Sequence, residues 1–67
     1  MHLNTEANLN DADAFYAELT DLHRDLQTAD SERVNARLIL LLANHIGDNR
    51  ILSEAMAIAK DLDPVQN

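Results

Sequence analysis

Asn35-Ala36-Arg37-Leu38-Ile39-Leu40-Leu41-Leu42-Ala43-Asn44-His45-Ile46-Gly47-Asp48 is the stretch that decides how this chain folds. At its centre, Leu38 to Ala43 are six consecutive apolar residues, flanked by Arg37 and Asn44. A helix that meets its core along one stripe cannot hide such a run, because consecutive side chains point all round the cylinder. The helix carrying it is expected either to lie at the centre of the fold or to be covered by another polypeptide. Gly47, the only glycine, follows Ile46 directly. It reads as the left-handed residue that closes the helix, since it has no β-carbon to clash there. Asp48 or Asn49 then caps a third helix at once, and so short a link makes the second and third helices neighbours.

Outward from this stretch the pattern stays helical. Phe15, Leu19, Leu22 and Leu26 recur at i, i+4, i+7 and i+11, which predicts a first helix over 11–27. Asn10 or Asp11 is its expected cap, with Leu9 packing on the first turn as a hydrophobic staple. Thr28, Asp30 and Ser31 are alternative starts for the second helix. Its main stripe is Val34, Leu38, Leu41, Leu42 and His45, widened by Ala36, Ile39 and Ala43. Ile51, Leu52, Ala55, Met56, Ile58, Ala59 and Leu62 define the third helix, and Asp63-Pro64 disfavours its continuation. The expected architecture is all-α: a small three-helix domain over 11–63, built as a helical hairpin plus one further helix. A polar N-terminal arm covers 1–10 and a loose tail 64–67.

Sixty-seven residues allow one small domain. A chain of this size buries only about 60% of its unfolded surface, so its stability is marginal. With no cysteine, neither a disulfide nor a thiolate zinc site can staple it, and association is the remaining common remedy. Twelve acidic against five basic residues give a formal charge of -7. That balance repels nucleic-acid phosphates and anionic membrane surfaces. The start, Met1 to Glu6, lacks the basic region and apolar core of a targeting signal, and no apolar run approaches the ~20 residues that span a bilayer. Cytoplasm is the expected location, by exclusion.

The densest polar cluster is Asn35, Arg37, Asn44, His45 and Asp48 around the second helix. It reads either as ordinary junction chemistry, tying residues 44–49 to helix one, or as a partner contact. Arg37, beside the apolar run, can reach a carboxylate bidentately within the chain or across an interface. Leu38, Ile39, Leu40, Leu42 and Ala43 are the expected apolar interface. His23 and His45 would need to converge with a carboxylate such as Glu18 or Asp48 to hold a metal, and no HxxxH or HExxH spacing supports that. No metal site and no cofactor is expected. Glu18, Asp21 and Asp25 share one face of helix one and read as a solvated acidic surface. The chain has no phosphate-cradling glycine loop, nucleophile elbow or Cys–His pair, so no catalytic residue is assigned. A helix-turn-helix reader is disfavoured because Arg50, Ser53, Glu54, Ala57, Lys60 and Asp61 offer as many acids as bases.

The run from Asn35 to Asp48, with Asn8-Leu9, Asp13, Phe15-Tyr16 and Leu22-His23, resembles the bacterial family known as domain of unknown function 2783. The family's arm usually has prolines near Asn8 and before Asp13, where this chain has Ala7 and Ala12, which implies a less rigid arm. The resemblance implies a small protein with no established activity, encoded near aromatic-degradation enzymes such as flavin-dependent hydroxylases, and hence an accessory or stabilising subunit. Residues and resemblance together lead to an expected non-enzymatic helical interaction protein, self-associating as a homodimer or bound to a protein partner. The alternative is a small-molecule or metal-binding helical protein that uses His23, Arg37, His45 and a carboxylate.

Overall fold

Three helices, α1 (Ala12–His23), α2 (Thr28–Ile46) and α3 (Asn49–Lys60), account for the regular structure, and there is no strand among the described residues. The structure is a computed structural model that describes residues 2–62. The expected all-α, three-helix fold is therefore present, while the tail at 64–67 lies outside the described residues. Residues 2–10 form no regular element, although the Glu6 amide donates to Asn4 Oδ1 at 2.9 Å. Leu9, the expected staple, is 56% exposed.

Caps explain where two of the helices begin. The Asp11 carboxylate accepts from the Ala14 amide at 3.0 Å, and the Asp48 carboxylate accepts from the Arg50 amide at 2.9 Å. Each satisfies one of the free donors of a first helical turn. α2 differs. It starts after Gln27 with no side-chain cap, so none of Thr28, Asp30 and Ser31 serves as one. Asp30 instead pairs with Arg33 at 3.6 Å within the first turns of the helix.

α1 ends earlier than its apolar spacing predicts. The Arg24 amide closes it by donating a hydrogen bond to the Asp21 carbonyl at 3.2 Å, and Asp25 then takes the left-handed conformation at φ 67°. Leu26 thus falls in the link, and the stripe it was expected to extend stops at Leu22. Asp is among the few side-chain-bearing residues that tolerate this backbone region. Arg24 also forms an ion pair with Asp21, and Asp25, beyond the end of α1, leaves the face it was expected to share with Glu18 and Asp21. The second link is as expected. Gly47 is left-handed at φ 68°, and its amide donates to the Ala43 carbonyl at 2.9 Å, closing α2.

Little of the chain is covered. Among the described residues only Ile51, at 6% exposure, is buried. The radius of gyration is 13.9 Å, against about 11 Å for a compact domain of this length. α1 meets α2 along a recess lined by Phe15, Glu18, Leu19, Leu22 and Leu38, where Leu19 and Leu38 are half-buried. His23 Nδ1 and Ser31 Oγ, 3.1 Å apart, tie the end of α1 to the start of α2. Leu41, expected on the same buried stripe as Val34 and Leu38, is instead exposed.

Candidate functional site

The apolar run divides between faces once α2 is formed. Each residue advances about 100° round the helix. Leu38 turns toward α1, where it lines the recess with Leu19 and Leu22. Ile39, Leu42, Ala43 and Ile46 turn toward α3. Leu40 stands at the edge of that face, and Leu41 lies on the outer side of α2 with Arg37 and Asn44.

The α3-facing side chains line a groove of about 460 Å³. Leu52, Ala55, Met56 and Ala59 of α3 supply its other wall, at spacings of three and four residues that keep them on one helical face. None of the lining side chains is charged or carries a hydrogen-bond donor. The described residues do not fill the groove: Ile39 remains 64% exposed and Met56 63%. Soluble monomers rarely leave contiguous apolar surface of this kind open to water.

A second, smaller feature lies on the outer side of α2, where Leu40 and Leu41 flank Arg37 and Asn44. Arg37 and Asn44 are seven residues apart, about 20° from alignment, and so share a face. The other members of the polar cluster lie elsewhere. Asn35 projects about 160° away from Arg37, and Asp48 caps α3 beyond the end of α2. His45 is in the last turn of α2, as expected. Among the described residues, the side chains of Asn35, Arg37, Asn44 and His45 make no hydrogen bond or ion pair. Asp48 alone has a defined structural partner.

The histidines do not converge either. His23 is held at Ser31, near the start of α2, whereas His45 is at its end. Fourteen residues of helix separate Ser31 from His45, about 20 Å along the axis. Among the described residues, no group of three or more histidine or carboxylate side chains gathers as a metal site would require. No described helix is long and apolar enough to cross a membrane.

Sequence reasoning named Leu38, Ile39, Leu40, Leu42 and Ala43 as an interface, with helix two or three as the associating element, but did not single out Ile46 or the residues of the α3 wall. The signal was available: Leu52, Ala55, Met56 and Ala59 fall on one stripe, and the Gly47 turn sets that stripe beside α2. Ser31, read there as a cap, is the partner of His23.

The fold and its groove define a small all-α protein with an uncovered, uncharged apolar face. Residues 3–61 match the family described as protein of unknown function (DUF2783), and the chain belongs to that family. No curated protein and no solved structure matches it.

Proposed function

We propose that this chain is a non-enzymatic helical interaction protein that works by burying the α2–α3 face against another polypeptide. The observation that carries the reading is the groove itself, an apolar channel between two helices whose walls are left in water. Covering it stabilises a complex by about 25 cal/mol per Å² of apolar area before ordering costs are subtracted. Arg37 and Asn44, next to Leu40 where the apolar face ends, would fix orientation there. An accessory or stabilising role, as the family resemblance implies, works in this way.

Chemistry on a small substrate needs an enclosed pocket with convergent polar groups. The groove offers no titratable side chain, and among the described residues no three histidines or carboxylates gather.

The test is a photoreactive side chain at position 56, on the groove, compared with one at position 54, about 160° round α3 from it. In cells producing the full chain, position 56 is expected to give a discrete crosslinked polypeptide and position 54 none. Equal yields from both positions, or none from either, would overturn the reading.

A further inference from the structure

We infer that the occupant of the α2–α3 groove is a second copy of this chain, seated groove to groove about a twofold axis. The inference rests on the reading of that face as an interaction surface and names its partner. Three observations support it.

The first is area. A compact monomer of 7.5 kDa exposes about 4,200 Å² by the usual size scaling, whereas this chain exposes 6220 Å². The arm accounts for part of the excess of about 2,000 Å², and a stable interface needs only about 800 Å² from each partner. The open α2–α3 face is part of the same excess, with Ile39, Leu40, Leu42 and Met56 each more than half exposed.

The second is shape. Whatever fills the groove must present an apolar helical ridge. α2 exposes one in Ile39, Leu40 and Leu42, on the same element that forms one wall of the groove. A surface that is both ridge and groove is self-complementary, which is the condition for an isologous contact. Ala55 and Ala59 in the opposite wall leave room for that ridge to approach.

The third is charge. Two copies, each carrying a formal charge of -7, must not place like charges face to face. The groove avoids this because none of its lining residues is ionisable. Asp21 and Asp30, away from the groove, are matched by Arg24 and Arg33 within the same chain.

Sedimentation of the full chain from roughly 1 to 100 µM tests the inference, with Ile39→Glu and Leu41→Glu as paired variants. Both positions are mainly exposed, at 64% and 69%, so neither change removes a core side chain, and helical circular dichroism verifies that each variant folds. The wild type is expected to sediment at twice 7.5 kDa. Ile39→Glu should weaken association by about 100-fold or more, as loss of a central interface residue does, and Leu41→Glu by no more than about threefold, as for a peripheral surface change. A species larger than two chains, or equal effects of the two variants, overturns the twofold groove contact. A monomer whose groove stays open to solvent overturns the second-copy inference and leaves the interaction reading standing. A monomer in which the chain's own arm closes over the groove overturns both.

Discussion

Gly47 and Asp25 are the two positions where the described backbone turns left-handed, and they do so on different terms. A β-carbon at Gly47 would meet only the Asn44 carbonyl oxygen, at an ordinary 3.6 Å. The cost of Gly47→Ala is therefore one of dihedral strain, about 1 to 2 kcal/mol, read as lost stability in urea unfolding. At Asp25, a glycine relieves left-handed strain but adds chain entropy, so Asp25→Gly should change stability by less than about 0.5 kcal/mol. Asp25→Val, β-branched at a positive φ, should cost about 1 to 2 kcal/mol in the same assay. Gly47 was legible in the sequence because a lone glycine after an apolar run has one obvious use. Asp25 was not, because aspartate permits the left-handed state without requiring it, and Leu26 continues the apolar spacing straight across the break.

Among the elements, α1 is the least secured. Its described ties are to α2 alone, the His23–Ser31 contact and the recess around Leu38, whereas α2 packs against both neighbours and α3 carries the buried Ile51. Amide hydrogen exchange is expected to be roughly tenfold or more faster in α1 than in the middle of α2, since regions with few buried apolar contacts open first. Ser31→Ala should speed exchange in α1 further and leave α3 unchanged, whereas equal protection of all three helices would contradict this order of stability. The existence of three helices, the Gly47 turn and the Asp48 cap could all be read from local chemistry, because each is determined within a few residues. The partition of Leu38 to Ala43 among faces could not. It depends on the directions from which α1 and α3 approach α2, and a run that is apolar on every side does not encode direction.

For the molecule as a whole, exposed apolar area and net charge act against each other. The apolar face favours association, while the charge of -7 on each copy resists it through long-range repulsion. Sodium chloride screens that repulsion over a Debye length of about 10 Å at 0.1 M and about 3 Å at 1 M. Raising it should tighten self-association several-fold, measured by sedimentation, whereas weakening by salt would mean that ion pairs rather than apolar burial hold the copies together. Thermal unfolding should shift to higher temperature with protein concentration, as linkage requires of a folded dimer.

The most direct test follows the ε-methyl group of Met56 by nuclear magnetic resonance in the presence of a paramagnetic cosolute, over a dilution series of the full chain. Met56 is 63% exposed in the single chain, so the account predicts strong relaxation when dilute and protection as concentration rises through the association range. Equal relaxation at every concentration would contradict it.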